Sequence, residues 1–494
     1  MKTFLRIASV SLAFALLLGS VFCMAGDVTK ITKDVYEYSD VPAPDGSIIS
    51  EMNSFLPSAG LKVSDLSNHG GGQTRMVYTK SGVYYALFTG TDNTTTSGGE
   101  VPIGIDLIHI EDDGSARSVY HTEQPYTPSG PMVSVMADKE GTVWMYAGWQ
   151  TGDTTCLPLR FMYNMWKYDP QTGTTTQYSE NKDYRTKKVG SYGSGGYSTC
   201  AIDEANRRIF AVVNCCDKPG YMEWSLFDMD TCTWSDPLAV KLDYRYCYTF
   251  ILPDGRGGYH LFNLRDVVVE SVKADNGKNV ASAARNLHSS WYDNNMLFDE
   301  YDYFHLADPT VEEIDVQIPV EPAAYDVAKG LYPEFGAPHA DIFMDSKGYL
   351  HFVMRASENL RYGHYTLHVV YDVSSGTPVE VRRQLMDFAQ SSKEQYFCRL
   401  FEDTEGNFYL VAVRQASLPV EFEIWGASDP TAELTLLWGE TRNYATQQVA
   451  GTAMASSRNG SVMGDVMHWG IFTYESLWYD LTIDFAKLRA FLAR

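Results

Sequence analysis

The chain has 494 residues, 45% hydrophobic and 20% charged, which is a globular composition and excludes a disordered, collagen-like or coiled-coil protein. Its 39 Lys+Arg stand against 62 Asp+Glu, a net charge of −23, so long-range repulsion argues against nucleic acid as a partner. Length alone, at about 150 residues per domain, predicts roughly three domains unless an internal repeat overrides it.

Residues 1 to 25 read as a secretory signal: Lys2 and Arg6 make a basic start, Ile7 to Phe22 an apolar run, and Cys23-Met24-Ala25 a small-residue cleavage site. The expected mature chain starts near Gly26 and is secreted or extracytoplasmic. The apolar run falls short of the roughly 18 to 20 residues that span a bilayer, so no membrane span is expected after cleavage. A lipoprotein on Cys23, or an uncleaved N-terminal anchor, is the alternative. Beyond the leader stand Cys156, Cys200, Cys215, Cys216, Cys232, Cys247 and Cys398, an odd number without a Cys-x-x-Cys pair. That excludes the usual zinc and iron-sulfur spacings and leaves at least one thiol unpaired. Cys215 or Cys216 is expected to pair with Cys156.

From there one phrase recurs along the chain: an apolar run, Asp-x-x-Gly, then a run of aromatic and β-branched residues. Thr79-x-x-Gly82 is a degenerate copy, Asp138 to Tyr146 a good one, and Asp203-x-x-Asn206 has Asn for Gly. Asp254-x-x-Gly257, Asp345 to Val353 and Asp403 to Val411 follow, with Gly460 as a weak seventh marker. Each phrase reads as a β-hairpin, since Gly and Asn tolerate the positive φ of a tight turn and Asp bonds the backbone it opens. A second hairpin follows at a regular distance, as in Tyr168-Asp169-Pro170-Gln171-Thr172-Gly173, Ala307-Asp308-Pro309-Thr310 and Ser428-Asp429-Pro430-Thr431. Two hairpins make a four-stranded antiparallel blade that cannot bury both faces alone. Seven such units predict one seven-bladed β-propeller over residues 26 to 494. The long interval from Gly257 to Gly348 calls for an insertion near 265 to 300, or for an eighth blade as the alternative. The last unit lacks a fourth strand after residues 476 to 485, so a strand from residues 27 to 60 is expected to close the ring.

The Asp-x-x-Gly-x-hydrophobic-aromatic phrase resembles the repeats of secreted bacterial propellers, including regulator-type and sialidase-like families, over nearly the whole mature chain. The resemblance implies the fold. The stretch Ala137 to Trp144 spaces its Asp and Gly one residue further apart than a sialidase Asp box does. Some polysaccharide lyases are seven-bladed propellers that use His, Tyr and Arg, and the chain is compatible with that chemistry. No residue role is carried over from either group.

In a propeller the Asp-x-x-Gly turns lie on one face, and the links between blades, with the turns from second to third strand, lie on the other. Loops held by a rigid scaffold concentrate binding groups, so the second face is the expected site. His339 and Asp341 enter an innermost strand and, with His69 and Tyr246, are the catalytic candidates, an imidazole there being suited to proton transfer. Arg185, Tyr197, Arg245, Trp291, Arg361, Tyr362, Arg442 and Tyr444 are the substrate-binding candidates. Aromatic faces and guanidinium forks in this mixture suit a sugar. His260 and His351 occupy equal repeat positions and read as features of the fold.

Asp293, Asp299, Glu300 and Asp302 read as a solvated acidic loop; Ca²⁺ suits such oxygens, but no EF-hand spacing is present and no metal site is predicted. The chain lacks a Gly-x-Ser-x-Gly elbow, a phosphate-binding loop and His-Glu-x-x-His. The expected function is therefore a secreted, monomeric propeller that binds polysaccharide or glycan on its loop-rich face, with cleavage of lyase or glycosidase type. The alternative is a non-catalytic propeller that presents the same face to a glycan or a protein.

Overall fold

The computed structural model describes residues 30–32, 35–37, 48–55, 62–63, 75–90, 102–111, 115–125, 132–151, 160–183, 197–215, 221–242, 245–269, 296–320, 340–359, 363–387, 395–415, 420–442, 449–454, 456–461, 464–473 and 477–494. Among these, seven antiparallel blades are present, each a meander of four strands counted outward from the axis. Blade 2 shows the pattern: Met132–Ala137, Val143–Thr151, Arg160–Asp169 and Thr174–Asp183 pair in sequence. The first strands of blades 1 and 3 to 7 are Met76–Thr79, Tyr197–Asp203, Arg245–Pro253, Asp341–Met344, Gln395–Glu402 and Val449–Met454. The described residues form one ring of seven blades, with no eighth blade among them.

The first turn of blades 2 to 6 is built around one carboxylate, and that of blade 1 around the hydroxyl of Thr79, which accepts the N–H of Ser81 at 3.1 Å. Asp138, Asp254, Asp345 and Asp403 each accept the backbone N–H four residues ahead through Oδ1, at 2.8–2.9 Å. In blades 2 and 6 the second oxygen takes the polar tip of the aromatic residue six positions on: Trp144 Nε1 at 3.2 Å and Tyr409 OH at 2.9 Å. His351 stands in the same relation to Asp345 at 3.0 Å, which makes it a repeat feature as expected. In blade 4 the carboxylate of Asp254 meets His305 instead, and His260 Nδ1 meets the hydroxyl of Tyr303 at 2.8 Å. Burial raises the carboxyl groups of Asp254 and Asp403, but donors outweigh it and hold both below the usual range. The donors are the N–H groups of Arg256 and Gly258 in one, and the amide and N–H of Asn407 in the other.

Blade 3 corrects the sequence reading. Its left-handed residue is Arg207 at φ 51°, not Asn206. The turn is one residue longer, and Asn206 uses its amide to hold both oxygens of Asp203 at 3.1 and 2.9 Å. Arg207 is held in that conformation by the carboxylates of Glu204, Glu140 and Asp230 at 3.1–3.2 Å.

Ring closure follows the sequence expectation. The strand Ile49–Phe55 pairs with Leu477–Asp484 and forms the outermost strand of blade 7, so chain ends meet in one blade. The C-terminal helix Phe485–Leu492 begins at the N-cap Asp484, whose carboxylate accepts the N–H of Lys487 at 2.9 Å. It buries Phe485 and Leu488 against Phe401, Tyr409 and Met467, and Arg489 joins Asp403 of blade 6 to Asp465. The acidic stretch is also corrected. Residues 265–269 and 296–300 are strand, and Asp302 is a buried mid-strand residue, 1% exposed, because Tyr246 OH donates to it at 2.5 Å. Asp293 lies outside the described residues.

Adjacent blades bury aromatic side chains between them, such as Trp144, Tyr163, Phe227 and Trp234 between blades 2 and 3, and Phe262, Tyr303, Phe352 and Tyr371 between blades 4 and 5. Each such side chain contributes about 1.5–3 kcal/mol by leaving water. The seventh blade differs at its first turn. In place of an Asp-x-x-Gly turn, residues 456 to 461, with a 3₁₀ turn at Ser457–Asn459, run into the axis of the ring. Asn459 Nδ2 donates to the carbonyls of Met76 in blade 1 and Val135 in blade 2, at 2.6 and 2.9 Å. The N–H of Tyr78 donates to Ser461 at 3.2 Å, and the Arg458 guanidinium lies 5.3 Å from the Phe250 ring centre in blade 4.

Gly460 in this axial segment has φ 77°, and a Cβ on it would lie 1.9 Å from the carbonyl oxygen of Ala137. At Gly141, φ 88°, a Cβ would meet nothing within 4 Å. Gly141→Ala should therefore cost only the left-handed penalty of about 1–2 kcal/mol, and Gly460→Ala distinctly more. Urea unfolding of the two variants measures the difference.

Candidate functional site

A first strand enters from the loop-rich face and ends at its Asp turn. The residue four positions before that Asp occupies one register level around the axis in blades 2 to 6: Ser134, Thr199, Phe250, Asp341 and Arg399. All five are buried. At this level the axial segment brings Arg458 against Asp341. Asp341 Oδ1 lies 2.9 Å from Arg458 Nη2 and 3.2 Å from Arg399 Nη1, while Oδ2 accepts the N–H of Leu400 at 3.0 Å. Asp341 is 1% exposed, Arg458 3% and Arg399 5%. The contacts at Oδ1 are close in distance but poorly aligned as hydrogen bonds, so they act mainly through charge. Burial drives the Arg458 guanidinium down to about 10, with Asp341 opposing it.

The Arg458 guanidinium thus stays charged at neutral pH, and it converges with Arg399 on one buried carboxylate. Arg399 Nε has no acceptor among the described residues. The constellation is a buried charge cluster with one more cation than anions, in which Asp341 is the carboxylate that both guanidiniums face. It is poorly suited to make Asp341 itself a proton donor or nucleophile, because two cations and a backbone N–H already engage it.

Of the sequence candidates, Asp341 reaches the axis as expected. Tyr246 is placed elsewhere: it is 1% exposed in the core between blades 3 and 4, edge-on to Phe304. Its hydroxyl donates to Asp302 at 2.5 Å and receives Gln317 Nε2 at 3.1 Å. Tyr197 and Arg245 are the first residues of the first strands of blades 3 and 4, and Arg442 is the last of the outermost strand of blade 6 (Thr435–Arg442). All three thus stand at the loop-rich ends of their strands. His69, His339, Arg185, Trp291, Arg361, Tyr362 and Tyr444 lie outside the described residues, as do Cys156 and Cys216. Cys200 and Cys232 are free thiols. Among the described residues no group of three or more His, Cys, Asp or Glu is placed to hold a metal ion, and no helix is long and apolar enough to cross a membrane.

Sequence reasoning missed Arg399 and Arg458. Arg399 had a signal, since it precedes Asp403 by the same four residues that separate Asp341 from Asp345. Arg458 had none, because its blade lacks the Asp-x-x-Gly turn that sets the register.

No protein-family model matches the chain, and no curated protein matches it. Among solved structures it is similar in fold to the polysaccharide lyase Uly1, at 12% identity and a TM-score of 0.49, with 88% of this chain and 99% of that chain covered. A PL25 polysaccharide lyase, an ulvan lyase bound to -[GlcA(1-4)Rha3S]-, gives 9% identity, a TM-score of 0.47, and coverage of 87% and 98%. An α-L-arabinanase of Penicillium chrysogenum complexed with arabinobiose gives 9% identity, a TM-score of 0.39, and coverage of 73% and 95%. These neighbours are carbohydrate-active propellers. At such identities the likeness concerns the fold, and no residue role is taken from it.

Removing the carboxylate leaves two buried cations facing each other. Asp341→Ala should therefore destabilise the protein by about 3–5 kcal/mol. In a double-mutant cycle with Arg399→Gln, the two substitutions together should cost less than their sum by about 1–3 kcal/mol. Strict additivity in denaturant titrations would show that the pair is not energetically coupled.

Proposed function

We propose that this chain is a secreted, carbohydrate-active propeller that binds an acidic polysaccharide over the loop-rich end of its axis and cleaves it by elimination. The observation that supports this reading is the buried Asp341, Arg399 and Arg458 cluster. Two guanidiniums against one carboxylate place a net positive charge under the loop-rich end of the axis, which attracts the carboxylate of a uronate residue. Elimination needs such a cation to stabilise negative charge as a base takes the proton next to the carboxylate; the C=C bond forms as the adjacent glycosidic C–O bond breaks, and the departing sugar oxygen takes a proton from the protonated base or from water. Asp341 acts as a positioning residue for the two arginines. His69 and His339, which the sequence assigns to the loop-rich face, are the candidates for the base, and Tyr197, Arg245 and Arg442 stand at strand ends on that face to contact neighbouring sugars. Hydrolysis by a pair of carboxylates fits less well, because Asp341 is already engaged by two cations. Secretion is supported by the leader over residues 1 to 25.

The test is incubation of the purified chain with a panel of acidic and neutral polysaccharides, following new sugar ends and the ultraviolet absorbance of unsaturated products. Absorbing products from acidic members alone are expected. Arg399→Ala should lower kcat/KM by roughly tenfold to a hundredfold, with Arg399→Lys intermediate because it keeps the charge but loses the fork. Reducing ends without absorbance would replace elimination by hydrolysis. Binding without any product would leave a glycan-binding propeller.

A further inference from the structure

Blade 5 carries two buried histidines for which the axial site has no use. Its second strand (Tyr349–Asn359) and third strand (Gly363–Asp372) place His351 and His368 side by side, both 0% exposed. Their rings are stacked with centres 5.2 Å apart, and His351 stacks at 4.1 Å on Phe408 of blade 6. His351 Nε2 lies 3.0 Å from Asp345 Oδ2, and His351 Nδ1 lies 2.9 Å from His368 Nε2.

The positions of the hydrogens follow from this chain of contacts. Asp345 is an acceptor, since its other oxygen already takes the N–H groups of Lys347 and Tyr349 at 2.9 and 2.8 Å. His351 therefore carries its hydrogen on Nε2 and accepts on Nδ1. His368 must then donate from Nε2, which leaves Nδ1 as a bare lone pair. That atom has no partner among the described residues. An added proton goes there, into a site without an acceptor.

The groups facing the pair come from four elements. Asp345 stands on the turn of blade 5, Arg382 on its outermost strand, Glu402 at the end of the first strand of blade 6, and Phe408 on the second. Burial lowers both imidazoles; Asp345 and then Glu402 partly offset this for His351, while His351 and Arg382 lower His368 further. The same boundary is tied by hydrogen bonds on both sides of the pair. Ser346 donates from N and Oγ to Glu402, each at 2.7 Å, and Gln384 exchanges bonds with the backbone of Leu434 at 2.8 and 2.9 Å.

We propose that the His351–His368 pair makes the seam between blades 5 and 6 an acid-responsive opening line, which loosens before the histidine-free blades 2 and 3. Neutral imidazoles complete the seam. A proton on His368 Nδ1 buries a cation against Phe408 and Arg382, and only opening of the seam hydrates it. The sign follows from linkage: a histidine kept neutral inside contributes stability that is complete above its ordinary value near 6.5 and lost as pH falls below it.

Hydrogen exchange of the full chain tests this at about pH 7 and about pH 5, after correction for the intrinsic pH dependence of exchange. Strands 349–354, 366–371 and 408–412 report the seam; blades 2 and 3, whose strands contain no histidine, are the internal reference. The opening equilibrium of the seam should rise by up to about 25-fold through His368 on acidification from about pH 7 to about pH 5, with a further rise from His351 and the reference changing far less. His368→Gln keeps a donor toward His351 but takes no proton, and His368→Phe keeps the stack; either should reduce the acid response of the seam. An equal response in seam and reference, or an undiminished response in both variants, would overturn the proposal. Neither result bears on whether the chain cleaves polysaccharide.

Discussion

The carboxylate at the first turn of blades 2 to 6 is the interaction on which the ring depends. A buried acid is costly unless its lone pairs are taken, and here the turn it belongs to takes them. Backbone N–H groups cap one oxygen of Asp138, Asp254, Asp345 and Asp403, and side-chain donors meet the other. One residue thereby sets the turn, the register between the first two strands, and the position of a large ring between blades. The ring in turn supplies much of the apolar area by which neighbouring blades adhere. Exchange of Gly for Arg207 in blade 3 is tolerated because three carboxylates hold the guanidinium and offset the left-handed backbone.

Closure adds a second constraint. A ring of identical blades has two ends to join, and this chain joins them by pairing Ile49–Phe55 with Leu477–Asp484 inside one blade. The C-terminal helix and Arg489 brace the same region against the turn of blade 6. The irregular first turn of blade 7 serves the axis instead of its own blade. Asn459 satisfies carbonyls of two other blades, and Arg458 reaches two more. The blade that departs furthest from the repeat is thus the one that ties the inner strands together and delivers a charge to the candidate site.

The functional reading has the same origin. Regular positions, four residues before each turn Asp, become chemically distinct where the sequence puts Asp341 and Arg399 in place of Ser134, Thr199 or Phe250. They gain meaning from adjacency around the axis, which brings blades 5, 6 and 7 to one carboxylate. Tyr246 shows the converse. It is a polar aromatic at the start of an inner strand, yet it packs sideways between blades and gives its hydroxyl to Asp302.

The sequence by itself determined the repeat, the number of blades, the strand that closes the ring and the placement of Asp341 on an inner strand. These are local or periodic properties: alternation of apolar residues, turns that need positive φ, and a count of units. It also showed His260 and His351 as equivalent residues. Tertiary structure alone decided that Asp302 is a buried acceptor rather than part of a solvated loop, and that His351 meets His368. It also decided that residues 456 to 461 leave their blade for the axis and carry Arg458 to Asp341, 117 positions earlier in the chain. Contacts of that kind depend on how far each blade is rotated about the ring, and no spacing within a single repeat encodes that rotation.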